Sequence, residues 1–129
     1  MRAGGGLSDY PRLASPLDLL VELLRRDPYN FDALIALGET LMEMGRKADA
    51  AVAFGRVKRF DPSHAGAAYY EGVLLSEQHR YRDAVACWQR VVDLEPAGEF
   101  ARRARRDMRT AADLEHIFSA REQRSARSA

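Results

Sequence analysis

The sequence has little of what marks disulfide-linked, membrane-spanning or strongly charged proteins. Its single cysteine, Cys87, cannot form an internal disulfide. No apolar run is as long as a signal-peptide core or a membrane span, so we expect a cytoplasmic protein. The 20 Lys and Arg residues against 19 Asp and Glu leave a net charge of +1. Such a balance disfavours nucleic acid and anionic membranes as partners.

Motifs for catalysis and cofactor binding are also missing from the sequence. His64, His79 and His116 lack the spacing that places two metal ligands on one helical face. No GxSxG, P-loop or GxGxxG motif occurs. Cys87, next to Trp88, lies among apolar residues, where a cysteine usually behaves as a small hydrophobe. We therefore expect no enzymatic activity, no bound metal and no other cofactor.

What the chain does contain favours helices. Its 129 residues, 47% of them hydrophobic, suffice for one domain with a core. Alanine occurs 21 times, against 9 Val and Ile together, which suits helices far better than strands. Arginine supplies 18 of the 20 basic residues, a bias typical of GC-rich and in particular bacterial genomes.

A period of 34 residues organises the middle of the chain. Residues 31–64 aligned with 65–98 share ten identities, where chance gives about three. Gly38 and Gly72 form one of these pairs, and Ala50 and Ala84 form another. Apolar residues three and four apart predict two helices in each unit, and the short connections make neighbouring helices antiparallel.

These units resemble the tetratricopeptide repeat, whose pattern is W-x2-L-G-x2-Y, then A-x3-F, then P. The pattern's positions in the first unit hold Leu34, Leu37, Gly38, Leu41, Ala50, Phe54 and Pro62. In the second unit they hold Ala68, Glu71, Gly72, Leu75, Ala84, Trp88 and Pro96. The small residues mark the close approach of two helices. The resemblance implies an all-α, right-handed superhelix of about five antiparallel helices that binds another protein as an adaptor or scaffold.

The repeats also predict what flanks them. Ser15 can cap a helix that Pro28 ends, and this helix aligns with the second half of a repeat. A final helix should close the array with its arginine face toward solvent. The predicted segments are a flexible lead at 1–14, a domain at 15–118 and a flexible tail at 119–129. Within the domain they are a helix at 16–27, repeats at 31–64 and 65–98, and a capping helix at 99–118.

The resemblance implies a partner-binding groove on the concave side, formed by the first helix of each pair and by the capping helix. It would hold a peptide or a helix of a partner protein. The helical phase predicts its residues as Ile35, Glu39, Met42, Glu43, Tyr69, Tyr70, Val73, Glu77, Arg103 and Asp107. Tyrosines, a methionine and acids suit an apolar or basic segment. The alternative is that Tyr69 and Tyr70 only cover the helix junction.

One family subtype holds the C-terminal carboxylates of chaperones in a clamp of Lys, Asn and Arg side chains. The residues at the matching positions here are Ile35, Glu39, Tyr70, Phe100 and Ala104. None supplies the cationic donors that a pair of carboxylates requires, so no such clamp is expected.

Two further functions are open from the sequence. Leu19 and Leu23 lie off the main apolar stripe of helix 16–27, so another surface must cover them. Either the lead folds back with Leu7, Tyr10 and Leu13, or a second copy of the chain packs there, and we favour the homodimer because the Gly-rich lead is poorly suited to ordering. The arginines within 102–109 form the other candidate surface, for RNA or for an anionic lipid. A helix that caps the array needs a soluble outer face, and arginines provide one. We therefore favour the interpretation that these arginines only face solvent.

Overall fold

The computed structural model describes residues 15–128, and the N-terminal lead predicted at 1–14 lies outside them. These residues form six α-helices and no strand, which confirms the all-α prediction. The helices are α1 (Pro16–Arg26), α2 (Phe31–Glu43), α3 (Lys47–Phe60), α4 (Ala65–Glu77), α5 (Tyr81–Leu94) and α6 (Glu99–Ser128). α1 to α5 lie within the segments predicted for the first helix and the two repeats, whereas α6 extends past its predicted end, and the six helices number one more than the approximate count.

The chain divides into two compact units between Arg56 and Val57, within α3. The N-terminal unit contains α1, α2 and most of α3, and α1 packs against α2. The C-terminal unit contains the end of α3 with α4, α5 and α6, where α5 packs against both α4 and α6. α4 also contacts α6.

Side chains just before three of the helices cap the exposed amides of the first turn. The Ser15 hydroxyl accepts from the Asp18 amide at 3.1 Å, and the Asp18 carboxylate accepts from the Ser15 amide at 3.4 Å. Asn30 caps α2 through the Ala33 amide at 3.0 Å. His64, at the repeat-equivalent position, caps α4 through Nδ1, which accepts from the Ala67 amide at 3.3 Å. These bonds satisfy donors that a helix start otherwise leaves unpaired.

The close approach of two helices, predicted from the small residues, is confirmed in both repeats. A Cβ added at Gly38 would lie 2.3 Å from the ring of Phe54, and one at Gly72 would lie 2.5 Å from Nε1 of Trp88. Phe54 and Trp88 are buried, at 3% exposure each. Glycine is therefore the residue that lets each second helix place its aromatic ring against the first.

The turn inside each repeat uses a left-handed backbone at equivalent positions. Gly45 has a φ of 77°, and His79, 34 residues later, has a φ of 61°. After each of these residues comes an arginine paired with an aspartate three positions on. Arg46 contacts Asp49 at 2.7 Å, and Arg80 contacts Asp83 at 2.7 Å.

The last helix is longer than the sequence predicts. α6 has 30 residues and ends at Ser128, whereas its end was predicted at 118 with a fraying tail at 119–129. Residues 119–128 contain no glycine or proline, and seven of these ten residues are Ala, Arg, Glu or Gln, which are strong helix formers. Once α6 is fixed by packing at Ala101, Ala104 and Ala111, its continuation needs no new nucleus.

Candidate functional site

The four predicted groove residues on α2 differ in their exposure. Ile35 is buried, at 5% exposure, so its placement on an open surface was wrong. The reason is that α2 packs against α1 on one side and against α3 at Gly38 on another, which buries more than one stripe. Glu39 and Met42 are partly exposed and Glu43 is exposed. These three side chains are the accessible part of the prediction on α2.

Tyr69 and Tyr70 on α4 are also buried, at 5% and 8% exposure. Their ring centroids lie 5.6 and 5.9 Å from that of Phe100 at the start of α6. The expectation that both rings offer open surface was wrong, because helical phase within one repeat does not show what the following helix covers. Both rings instead lie at the junction of α4 and α6, as the alternative interpretation of Tyr69 and Tyr70 described.

Two polar contacts join these tyrosines to α6. The Tyr69 hydroxyl donates to the Asp107 carboxylate, and Arg103 donates to the Tyr70 hydroxyl at 3.2 Å. Burial, followed by the bond to Asp107, raises the pKa of Tyr69 well above its ordinary value. Arg103 also donates to Glu99 at 2.6 Å, and its Cζ lies 5.3 Å from the Phe100 ring centroid. Arg103 and Asp107, both predicted for the groove, therefore hold α6 to α4.

A cleft of about 310 Å³ opens between α4 and α6. We call it the α4–α6 cleft, and its lining residues are Tyr69, Val73, Ser76, Glu77, Tyr81, Trp88, Asp107, Thr110, Ala111 and Leu114. Tyr69, Val73, Glu77 and Asp107 are predicted groove residues that the structure brings together here. Thr110, Ala111 and Leu114 were not predicted for a groove, because a helix that caps the array was expected to use its apolar side for packing.

The lining of the α4–α6 cleft is apolar with an acidic edge. Val73, Ala111 and Leu114 provide aliphatic surface. Glu77 and Asp107 provide two carboxylates, and no Lys, Arg or His from the described part of the chain lines the cleft. An apolar side chain with a basic neighbour is the complement of such a surface.

A larger cavity, of about 550 Å³, lies beside the second half of α6. Its lining residues are His79, Arg80, Tyr81, Arg82, Asp83, Glu115, Phe118, Ser119 and Glu122, and we call it the aromatic cavity. The rings of Tyr81 and Phe118 are nearly parallel, with centroids 6.1 Å apart, and His79 meets both edge-on. This cavity was not predicted from the sequence, although the histidine at the repeat position of Gly45 is visible there as a signal.

Cys87 lies in a third, smaller cavity, of about 200 Å³, with Glu71 and Lys58. Its thiol donates to Glu71 at 3.2 Å, and Lys58 contacts the same carboxylate at 2.5 Å. Burial, followed by the bond to Glu71, raises the pKa of Cys87 to about 12. Although burial opposes ionisation of Glu71, Lys58 and Cys87 hold its pKa below the ordinary value. The sulfur thus remains a thiol at neutral pH, the unreactive form of cysteine.

The two other surfaces predicted from the sequence are exposed. Leu19 and Leu23 on α1 are 53% and 44% exposed. On α6, Arg102, Arg105, Arg106 and Arg109 are exposed, and Arg106 contacts Asp107 at 3.3 Å. Within residues 15–128, no three His, Cys, Asp or Glu side chains are grouped as a metal site would require. None of the six helices combines the length and the apolar character needed to cross a membrane.

No protein-family model matches the sequence, and no curated protein matches it. Among solved structures, it is similar to the first TPR domain of Spaghetti (RPAP3) bound to the HSP90 peptide SRMEEVD. The TM-score is 0.65 at 18% identity, over 78% of this chain and 77% of that one. The ArsTM double mutant of MamA RS-1 is similar with a TM-score of 0.53 at 22% identity, over 95% and 70% of the two chains. At such identities the likeness is one of fold.

Proposed function

We propose that this chain, which has the tetratricopeptide-repeat fold, is a non-enzymatic protein-interaction module that receives a peptide or helix of a partner in the α4–α6 cleft. The observation that carries the proposal is the cleft itself. Three residues predicted for a groove from the sequence, Val73, Glu77 and Asp107, line one cavity of about 310 Å³ together with the buried ring of Tyr69. A solved domain of the same fold is bound to a peptide.

The charge of the cleft indicates what kind of segment it takes. The peptide bound to the Spaghetti domain, SRMEEVD, contains three acidic residues. In this chain the corresponding clamp cations are missing, and the cleft carries the carboxylates of Glu77 and Asp107, the second of which also contacts Arg106 and the Tyr69 hydroxyl. Like charges would repel, so we expect a partner segment that is apolar or basic.

Selection from a displayed library of random nine-residue peptides tests the proposal. Thr110→Arg places a long cationic side chain in the cleft, and Ala112→Arg is the matched control, because Ala112 is exposed on the same helix and does not line the cleft. We expect the wild type and Ala112→Arg to enrich the same apolar and basic peptides. Thr110→Arg should lose them, with affinity reduced by about ten-fold or more.

Two results would contradict the proposal. Enrichment of the same peptides by Thr110→Arg would place binding outside the cleft. A library that yields no enriched peptide with the wild type would count against peptide recognition by this cleft altogether.

Self-association through α1 is a second candidate function, favoured by the exposure of Leu19 and Leu23 together with Val21 at 38%. Burying one such side chain gains about 1.5–3 kcal/mol, and a second copy of the same surface is self-complementary by symmetry. Light scattering at about 50 μM should therefore give twice the chain mass. The double variant Leu19→Glu with Leu23→Glu should be monomeric, whereas Val52→Glu, 71% exposed on α3, should not change the mass. A monomeric wild type rules this function out.

A further inference from the structure

The aromatic cavity and the α4–α6 cleft share a lining residue, Tyr81, and both lie along α6. Tyr81 lines both, with the cleft on the side of Asp107 and Leu114 and the aromatic cavity on the side of Phe118 and Glu122. All of these residues belong to the C-terminal unit. The α6 residues that line the cleft, within 107–114, are followed directly by those that line the aromatic cavity, within 115–122, so a segment that runs along α6 can contact both.

His79 has a left-handed backbone at the position that glycine occupies in the first repeat, and its ring lies against the aromatic cavity. A φ of 61° suits glycine, as at Gly45, and is unfavourable for a residue with a side chain. The His79 ring nitrogen Nδ1 lies 2.8 Å from the Tyr81 hydroxyl. The same ring lies 5.9 Å, centroid to centroid, from Phe118. The ring therefore completes one wall of the cavity, which a glycine could not do.

A guanidinium already occupies the mouth of the aromatic cavity. Arg82 donates through Nε to the Glu115 carboxylate, although the Arg82 side chain is 85% exposed and that of Glu115 only 29%. An exposed ion pair of this kind contributes little to stability, so it is readily exchanged. The cavity also contains the carboxylates of Asp83 and Glu122, which leaves its lining with three acids and two arginines.

We propose that the aromatic cavity receives an arginine side chain of the partner segment, whose guanidinium replaces that of Arg82 on Glu115. This inference deepens the proposed function and rests on it, because the same segment lies in the α4–α6 cleft. Aromatic faces beside carboxylates attract cations, and the flat guanidinium both stacks on rings and pairs with a carboxylate. The rings are Tyr81 and Phe118, closed on one side by His79.

The spacing along α6 gives the length of the segment. From Asp107 to Glu122 the helix rises by about 22 Å, which an extended peptide spans with about seven residues. The segment should therefore carry apolar residues for the cleft and, toward one end, an arginine for the cavity.

A fragment titration tests the cavity by itself. N-acetyl-arginine methylamide, and its uncharged citrulline analogue as control, are added to the full chain while ring-proton signals of Tyr81 and Phe118 are followed by NMR. Weak binding, in the millimolar range, is sufficient for this measurement. We expect the arginine compound to bind at least about five-fold more tightly than the citrulline compound, because only the former carries a charge.

Four substitutions test which side chains of the aromatic cavity affect binding of the arginine compound. Arg82→Gln removes the competing guanidinium and should tighten binding of the arginine compound by about two- to five-fold. Glu115→Gln and His79→Gly should each weaken it, and the latter keeps the turn because glycine fits its φ. Ile117→Ala, 56% exposed on the same helix and outside the cavity, is the control and should have no effect.

Equal binding of the citrulline compound, or weaker binding after Arg82→Gln, would overturn the inference. The peptide selection reports separately on the α4–α6 cleft. If selected peptides bind there but none depends on an arginine, the inference fails and the proposed function stands. If Thr110→Arg has no effect on the selected peptides while the fragment binds the cavity, the proposed function fails at the cleft.

Discussion

Gly72→Ala should destabilise the C-terminal unit because the added methyl group meets a ring that has no room to move. The new Cβ would lie 2.5 Å from Nε1 of Trp88 and 2.8 Å from two of its ring carbons. To reach ordinary contact distances of about 3.5 Å, the ring must withdraw by about 1 Å. Trp88 is buried and donates from Nε1 to the Tyr69 carbonyl at 3.0 Å, so withdrawal also weakens that hydrogen bond.

The magnitude follows from three contributions. Overpacking costs about 1–3 kcal/mol, and the weakened hydrogen bond adds about 0.5–1.5 kcal/mol. Replacing glycine by alanine inside a helix stabilises the folded protein by about 1 kcal/mol through helix propensity. The net loss of unfolding free energy should therefore be about 0.5–3.5 kcal/mol.

Urea denaturation measures the change, with Trp88 fluorescence reporting on the C-terminal unit, which holds the only tryptophan in the chain, and far-UV circular dichroism reporting on the helices of both units. Gly55→Ala on α3 is the matched control, since a Cβ at Gly55 has nothing within 4 Å. That variant should gain up to about 1 kcal/mol from helix propensity. If Gly72→Ala unfolds at the same urea concentration as the wild type, or at a higher one, the packing of Trp88 against α4 is refuted.

Two further predictions concern ionisation. The pKa of Tyr69 is raised by burial and by the bond to Asp107, so the stability it contributes is complete below its ordinary value of 10.0 and is lost as the pH rises beyond it. Between about pH 9 and about pH 11, the urea midpoint of unfolding should fall less in Tyr69→Phe than in the wild type. An equal fall in the two proteins would contradict this. Because the pKa of Cys87 is about 12, its thiol should react with a disulfide reagent at neutral pH far more slowly than free cysteine. Glu71→Gln should accelerate that reaction, and a wild-type rate equal to that of free cysteine would be inconsistent with the buried thiol.

The helices and their register could be predicted from the sequence because each depends on local pattern. Gly38 and Gly72 recur with the aromatic residues Phe54 and Trp88 at one spacing, and a repeated spacing defines which faces meet. Ser15 likewise identifies a helix start by its side chain alone. These features require only residues that are close in the sequence.

The candidate site was predicted less well because it depends on contacts between distant segments. Tyr69 and Tyr70 have the helical phase of a groove, but Phe100 covers them from the next helix. The length of α6 depends on small differences in helix propensity summed over many residues, to which the periodic pattern contributes nothing. The aromatic cavity combines a turn residue, His79, with Phe118 from the last helix, a pairing that no spacing within a repeat indicates.

The backbone at position 79 bears on how chains of this kind diverge. A turn with a φ of 61° accepts glycine without strain, so descendants that no longer need the cavity can lose the histidine while keeping the fold. The fold alone accepts glycine there, whereas the proposed arginine site needs the histidine ring. Among sequences with the same 34-residue period, histidine at 79 together with an aromatic residue at 118 is therefore the pair of positions that we expect to distinguish chains with this proposed site from chains that share only the architecture.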